Sequence, residues 1–169
     1  MRVIQKKVCM LGDFAVGKTS LVRRYIEGRF DDKYLSTIGV KISRKTLPRG
    51  DHTLNLLIWD LAGGDDFSRV SASYLRGAAG AIIVCDLTRH ETLNALSYYA
   101  EQLRTLNPQA ALVFVGNKVD LLDERVITDD ELTELSDTFG GTCLVTSAKT
   151  GERVEAAFQI LADLIEAQQ

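Results

Sequence analysis

The sequence has few of the residues that mark disulfide-linked or membrane-spanning proteins. It contains two prolines and three cysteines in 169 residues, and Cys9, Cys85 and Cys143 lie scattered inside apolar runs. An odd number of cysteines without close spacing argues against a disulfide framework or a zinc site. No apolar run approaches the roughly 20 residues that a transmembrane helix requires. We therefore expect a cytoplasmic chain whose thiols are buried and reduced.

The chain also lacks an excess of basic charge. Its formal net charge of −3 gives no electrostatic basis for a nucleic-acid partner or a polybasic membrane tether. Lys6 and Lys7 interrupt any apolar signal segment, and no lipidation motif is present at either end. We predict a single monomeric domain over residues 1–169 with no nucleic-acid partner and no encoded membrane anchor. Peripheral membrane association would require a lipidated tail that has been removed.

The most specific motif is GDFAVGKT at residues 12–19. It fits G-x-x-x-x-G-K-[ST] and lies between an apolar run and a helical pattern, which is the context of a phosphate-binding loop. The glycines let backbone N–H groups and a helix N-terminus point at phosphate oxygens. Lys18 is expected to reach the β- and γ-phosphates, and Thr19 to ligate Mg²⁺. The alternative, a glycine-rich turn with a chance lysine, is rare in this context.

The hydrophobic patterns predict a doubly wound α/β fold. Two alternating segments around the turn at residues 48–51 predict an antiparallel hairpin, and later runs that are apolar throughout predict parallel strands. Thr128 and Glu131 predict a capping box. The predicted strands cover about residues 6–11, 37–47, 54–59, 81–85, 112–116 and 143–146, and the helices about 17–27, 67–76, 91–106, 129–138 and 152–167. We expect a mostly parallel six-stranded sheet with one antiparallel edge hairpin, about five helices, and a ligand at the carboxyl ends of the strands.

Polar motifs follow three of the predicted strands. Asp60 is placed to hold Mg²⁺ through a water, and Gly63 offers a backbone N–H to the γ-phosphate. Asp120 can accept hydrogen bonds from the ring N–H and the exocyclic amine of guanine, a pair of donors that adenine lacks. Lys118 can lay its stem along the purine ring. The tetrad at residues 146–149 would bring backbone N–H groups to the guanine O6.

In order and spacing, these motifs resemble the five guanine-nucleotide motifs of small Ras-superfamily GTPases. Residues 29–40 and 73–78 look most like the Rab branch. The resemblance implies a P-loop NTPase G domain with GTP and GDP as substrate and product, Mg²⁺ as cofactor, and effector, exchange-factor and GTPase-activating partners that contact residues 30–45 and 60–76. The predicted metal ligands are Thr19, Thr37 and Asp60, the last through water. The predicted nucleotide-binding residues are Phe14, Ala15, Val16, Gly17, Lys18, Thr19, Ser20, Phe30, Asp32, Tyr34, Thr37, Gly63, Asn117, Lys118, Asp120, Ser147, Ala148 and Lys149.

The resemblance also implies individual roles. Phe30 would stack edge-on against the guanine, Asp32 would lie near the ribose, and Tyr34 would close over the phosphates. Thr37 would ligate Mg²⁺ and touch the γ-phosphate only in the triphosphate state, so that segments around it relax after hydrolysis. Three aromatic residues match positions at which Rab relatives display a surface to effectors, although at least one could be ordinary core: Trp59, Phe67 and Tyr74.

The catalytic half of the pattern departs from the family. Gly64 stands where relatives carry the glutamine that orients the attacking water, and Asp65 is a poor substitute because the γ-phosphate repels a carboxylate. Phe14 stands where relatives have a small residue. Its ring is expected to project toward the γ-phosphate and the route of a partner's arginine finger, or else to pack beneath a switch segment. No arginine is supplied in cis, since Arg29 looks too far away.

The sequence therefore predicts a GTP-binding molecular switch with slow hydrolysis. Its catalytic positions are Lys18, Thr37 and Gly64, the last as the position of the missing glutamine. Hydrolysis is expected to be slower than in a glutamine-bearing relative by about one to two orders of magnitude. The alternative is a nucleotide-locked scaffold, that is, a pseudo-GTPase. Asp120 and the lack of a lid segment disfavour an ATPase or a nucleotide kinase.

Overall fold

The computed structural model of the chain is a six-stranded sheet with helices on both faces. It describes residues 2–30, 39–61 and 65–168, without the side chains of residues 65 and 66. Within these ranges the strands are β1 (Arg2–Leu11), β2 (Val40–Pro48), β3 (His52–Leu61), β4 (Ala78–Asp86), β5 (Ala111–Asn117) and β6 (Thr142–Val145). The α-helices are α1 (Lys18–Glu27), α2 (Asp65–Leu75), α3 (His90–Leu106), α4 (Asp129–Thr138) and α5 (Val154–Ala167). Five predicted site residues lie outside the described residues: Asp32, Tyr34, Thr37, Gly63 and Gly64.

The sheet has the strand order β2-β3-β1-β4-β5-β6. The β2–β3 pair is antiparallel, and the other neighbouring pairs are parallel. The predicted fold is therefore confirmed. Because the strands from β3 to β6 run in one direction, their carboxyl ends meet at one edge of the sheet, where the loops share a common space.

Apolar side chains fill both faces of the sheet. One core cluster joins the sheet to α2, α3 and α4 through residues such as Leu75, Leu96 and Leu132. The other joins it to α1 and α5 through residues such as Leu21 and Phe158. Burying a side chain of this size contributes about 1.5–3 kcal/mol. The two clusters pack the sheet between the two helical layers.

Most element boundaries differ from the predictions by only a few residues. β1 begins at Arg2 rather than near residue 6, because its ladder with β3 continues to the pair Arg2 and His52. α5 begins at Val154 rather than residue 152, because Arg153 has a left-handed backbone with φ 56°. The capping box is confirmed, with Thr128 and Glu131 each accepting a hydrogen bond from the other's backbone N–H.

The cysteines are free thiols in the structure. Cys9 and Cys85 are buried as predicted, whereas Cys143 is only partly buried. It lies on the short strand β6, which is at the edge of the sheet and therefore covered on fewer sides. Among the described residues, no helix combines the length and the apolar character needed to cross a bilayer.

Two of the three aromatic residues of the predicted partner surface are largely buried. Phe67 and Tyr74 are each 2% exposed, in line with the expectation that at least one of the three belongs to the core, but Tyr74 still lines a surface groove beside Trp59. The single O–H of Tyr74 lies within hydrogen-bond reach of the carbonyls of Met10 and Trp59 and is shared between them, which anchors α2 to the sheet. Only Trp59 keeps a partly exposed ring, and Lys7 Nζ lies 3.7 Å from its centroid.

Candidate functional site

The phosphate-loop motif connects β1 to α1 and is held close to its neighbours. Gly12 and Gly17 have φ values of 143° and 106°. A Cβ at Gly12 would lie 2.4 Å from the Val84 carbonyl oxygen, and one at Gly17 would lie 2.2 Å from Asn117 Nδ2. Only glycine tolerates both the backbone conformation and the contact. The two motif glycines are therefore required by the close approach of the β4 and β5 ends.

Lys18 places its ammonium group inside the loop. The residue is 7% exposed, and Nζ donates to the carbonyls of Gly12 at 2.9 Å and Asp13 at 3.0 Å. The pKa of Lys18 is lowered to about 8, mainly by burial and to a smaller extent by nearby Arg89, against the opposing attraction of Asp60 and Asp13. The loop thus presents a cation whose charge is sensitive to what binds beside it.

This pKa predicts a pH dependence of nucleotide binding. A bound diphosphate raises the pKa of Lys18 above about 8, because its negative charge favours the ammonium form. Binding therefore takes up a proton when the pH lies between about 8 and the raised pKa of the complex, and within that range affinity for GDP should fall as the pH rises, by at most tenfold per unit. Isothermal titration calorimetry at pH 9 in buffers of different ionisation enthalpy should detect uptake of close to one proton. Proton release, or none, would contradict the expected role of Lys18.

Thr19 and Asp60 form a pair of oxygen ligands beside the loop. Thr19 Oγ1 donates to Asp60 Oδ2 at 2.7 Å, and Asp60 is 1% exposed near the end of β3. Hydroxyl and carboxylate oxygens are hard donors, and Mg²⁺ is commonly held by one or two of them together with substrate phosphates. The residues present fit a nucleotide-bound Mg²⁺. The third predicted ligand, Thr37, lies outside the described residues.

The two segments that are predicted to read the guanine, at the ends of β5 and β6, contact each other directly. Ser147 Oγ donates to Asp120 Oδ1 at 2.7 Å. The buried Asn117 side chain accepts from Thr146 Oγ1 at 3.1 Å and from the Ala148 N–H at 3.3 Å. A base bound here would compete for the long bond from the Ala148 N–H. The structure thus brings Asp120, Ser147 and Ala148 together, as the sequence predicts.

Other predicted nucleotide-binding residues lie around this centre. Phe30 is partly buried and packs against the α1–α5 cluster. Lys149 is exposed next to Ala148, and Ser20 is partly exposed on the first turn of α1. Phe14 is 56% exposed at the loop, and the switch residues beneath which it could pack lie outside the described residues. The direction of its ring relative to the γ-phosphate stays a prediction.

Four functional-site residues were missed by the sequence reasoning. Arg24 Nε donates to the Ala148 carbonyl at 2.9 Å, which ties α1 to the guanine-reading loop. Tyr99 donates to Asp13 Oδ1 at 3.0 Å. Asp86 and Arg89 follow β4, and Arg89 contacts the phosphate loop, so an arginine of this chain does lie beside the site. The position of Asp86 at a carboxyl strand end was the available signal.

The fold and the loop define a P-loop nucleotide-binding domain. The Ras family model matches residues 7–167. The chain is similar to Ras-related protein Rab-3 of Caenorhabditis elegans, with 37% identity over 94% of this chain and 73% of that protein. It is also similar to human Ras-related protein Rab-3A, with 36% identity over 94% and 73% of the two chains, and to rat Ras-related protein Rab-31, with 36% identity over 94% and 82%. The chain therefore belongs to the Ras family of small GTP-binding proteins and is Rab-like, and this membership supports GTPase activity in general.

Proposed function

We propose that this chain is a Mg²⁺-dependent switch that binds GTP and GDP at the carboxyl edge of its sheet and hydrolyses GTP slowly. One observation carries the proposal: the phosphate loop is hydrogen-bonded both to the metal-binding acid and to the guanine-reading loops. Thr19 reaches Asp60 on one side, and Asn117 Nδ2 donates to the Val16 carbonyl at 3.1 Å on the other. One nucleotide would therefore bind with its phosphates in the phosphate loop and its base against the guanine-reading loops.

The reaction would be attack of water on the γ-phosphate. The Lys18 ammonium, which the loop carbonyl of Gly12 holds at 2.9 Å, and the loop N–H groups would stabilise charge on the transferring group. When bound, Mg²⁺ would neutralise phosphate oxygens, with Thr19, Thr37 and Asp60 as its protein-side ligands. Gly64 has no side chain with which to orient the water. The site would thus bind the substrate well and position the nucleophile poorly, which is the origin of the slow rate that we propose.

Partners would read the nucleotide state through residues 30–45 and 60–76. A groove of about 350 Å³ lies between the described parts of these segments. Its lining is largely apolar and consists of Gly39, Val40, Trp59, Leu61, Arg69, Val70, Ser73 and Tyr74. Because both walls adjoin segments expected to contact the γ-phosphate, occupancy of this groove would depend on the nucleotide.

A nucleotide-locked scaffold is the second candidate. The exposed aromatic ring of Phe14, 56% accessible at the loop, favours it because a bulky side chain there would obstruct a partner's arginine finger. Such a protein would bind GTP with the same residues and would not turn it over.

Single-turnover hydrolysis separates the two candidates. Nucleotide-free protein is loaded with stoichiometric GTP and Mg²⁺, quenched at intervals and analysed for GDP, with GTP alone as the control. We expect a rate on the order of 10⁻⁵ s⁻¹, below the intrinsic rate of about 4 × 10⁻⁴ s⁻¹ known for a glutamine-bearing GTPase. GTP that persists unchanged for several days would favour the scaffold, and failure to bind GTP would contradict both candidates.

A further inference from the structure

Three side chains from the ends of β4 and β5 donate to three successive carbonyls of the phosphate loop. Their donor–acceptor distances are similar, at 2.9, 3.2 and 3.1 Å in chain order. The pairs are Arg89 Nη2 with the Phe14 oxygen, Lys118 Nζ with the Ala15 oxygen, and Asn117 Nδ2 with the Val16 oxygen. The outer side of the loop is thus covered by hydrogen-bond donors.

This arrangement determines where the loop N–H groups point. In a trans peptide unit the C=O and the following N–H lie in one plane and point in opposite directions. Because the Phe14 carbonyl is held outward, the Ala15 N–H points inward. In the same way, the hydrogen bonds to the Ala15 and Val16 carbonyls turn the N–H groups of Val16 and Gly17 inward. Successive inward N–H groups form an anion-binding concavity. Ala15 also has a positive φ of 63°, a conformation that alanine adopts at some cost.

Asp86 holds two of the three donors in place. Its Oδ2 lies 3.1 Å from Arg89 Nε and 2.8 Å from Lys118 Nζ, and its Oδ1 accepts from the N–H and the hydroxyl of Thr88. Asp86 is 1% exposed. Burial alone would raise the pKa of Asp86, but hydrogen bonds from Lys118 and Thr88 outweigh burial and leave the pKa below its usual value. The carboxylate is therefore a charged anchor with all of these donors directed at it.

We infer that Arg89, anchored by Asp86, is a positioning residue for the nucleotide phosphates. Its guanidinium fixes the peptide between Phe14 and Ala15 and polarises it, which makes the Ala15 N–H a stronger donor to a phosphate oxygen. Arg89 and Lys118 together hold the peptides on both sides of the strained Ala15. The inference rests on the proposed function, since it assigns a role within the same site.

The test compares Arg89→Ala and Arg89→Lys with the native protein and a matched control. The control is Arg104→Ala, because Arg104 lies at the opposite end of α3 and also donates to a backbone carbonyl, that of Ala110 at 3.0 Å. Two quantities are measured: the dissociation rate of a fluorescent GDP analogue, and the ³¹P chemical shift of the β-phosphate of bound GDP. The second reading reports on phosphate contacts, which a purely structural role would not alter.

For Arg89→Ala we expect dissociation about tenfold faster, equivalent to about 1.4 kcal/mol, with a displaced β-phosphate resonance. Arg89→Lys should recover part of the loss, because an ammonium keeps the positive charge but lacks the two separately placed N–H donors with which the guanidinium meets Asp86 and the Phe14 carbonyl. Arg104→Ala should match the native protein. If Arg89→Ala does not fold, the same two measurements on Arg89→Lys test the inference. For that variant we expect the GDP analogue to dissociate roughly two- to threefold faster than from the native protein.

Two results would overturn the inference while leaving the proposed function intact. The first is that the Arg89 variants bind GDP with the same dissociation rate and the same β-phosphate resonance as the native protein. The second is an equal increase of the dissociation rate in Arg104→Ala, which would indicate general destabilisation. A native protein that binds no GDP would instead refute the proposed function, and the inference with it.

Discussion

Replacing Asp120 by asparagine is expected to weaken GDP binding by about a thousandfold and to strengthen xanthosine diphosphate binding by a similar factor. A carboxylate accepts from both the ring N–H and the exocyclic amine of guanine. Each hydrogen bond to a charged group contributes about 1.5–3 kcal/mol, and losing one while misaligning the other removes about 4 kcal/mol. Xanthine carries a carbonyl in place of the amine, so the asparagine amide can donate to it while its oxygen accepts from the ring N–H.

The measurement is competition binding of GDP, xanthosine diphosphate and ADP to native and Asp120→Asn protein. Asparagine can still accept the hydrogen bond from Ser147 Oγ, so the contact between the two loops is retained. The matched control is Asp123→Asn, which changes the same charge on an exposed residue of the adjoining 3₁₀ turn, Leu122–Glu124. Unaltered preference for GDP in the Asp120 variant would remove this residue from the base-reading site.

Replacing Gly64 by glutamine is expected to raise the single-turnover rate of GTP hydrolysis by about 10- to 100-fold. The amide side chain can hold the attacking water in line with the γ-phosphate, a contribution that glycine cannot make. The change adds a polar side chain beside a site that already binds the phosphates, so affinity for GTP should change little. The effect should therefore appear in the rate constant of the chemical step rather than in binding.

Gly64→Leu is the control for this substitution. Leucine has nearly the bulk of glutamine and the same removal of glycine's backbone freedom, but it has no amide to orient water. It should leave the rate at or below the native value. An equal gain in both variants would trace the effect to the backbone, and a native rate already equal to that of Gly64→Gln would show that slow hydrolysis is not a property of this chain.

The fold and much of the candidate site could be predicted because their signals are local in sequence. The loop at residues 12–19 carries its glycines, Lys18 and Thr19 within a single stretch. The hairpin strands alternate apolar and polar residues, the later strands are apolar runs, and a parallel sheet brings the residues that follow its strands to one edge. The contacts of Asp60 with Thr19 and of Asp120 with Ser147 thus follow from topology once the strand order is right.

The contacts of Arg89 and Arg24 at the candidate site could not be predicted because they join distant parts of the chain. Arg89 meets Phe14 across 75 positions, and Arg24 meets Ala148 across 124. Neither arginine belongs to a motif, and an arginine after a strand is most often solvated. Their acceptors are backbone carbonyls, which every residue has, so no complementary side chain in the sequence indicates the partner.

The extent to which the predicted surface aromatics are buried could not be predicted for a related reason. Phe67 and Tyr74 lie on α2, whose apolar positions indicate a buried stripe without identifying its partner. The structure packs Phe67 against Tyr98 and Tyr99 of α3, with ring centroids 6.1 and 5.0 Å away. Residue spacing alone does not distinguish a face that covers α3 from one that is offered to another protein.

The most direct test of the account is the identity of the nucleotide that remains with the purified protein. The protein is isolated in Mg²⁺ without added nucleotide, denatured, and its released nucleotide is identified by ion-pair chromatography against standards. The account predicts close to one guanine nucleotide per chain, mainly GDP with residual GTP, and its loss from Asp120→Asn. Adenine nucleotide in place of guanine, or native protein free of nucleotide that takes up none when GDP and Mg²⁺ are supplied, would contradict it.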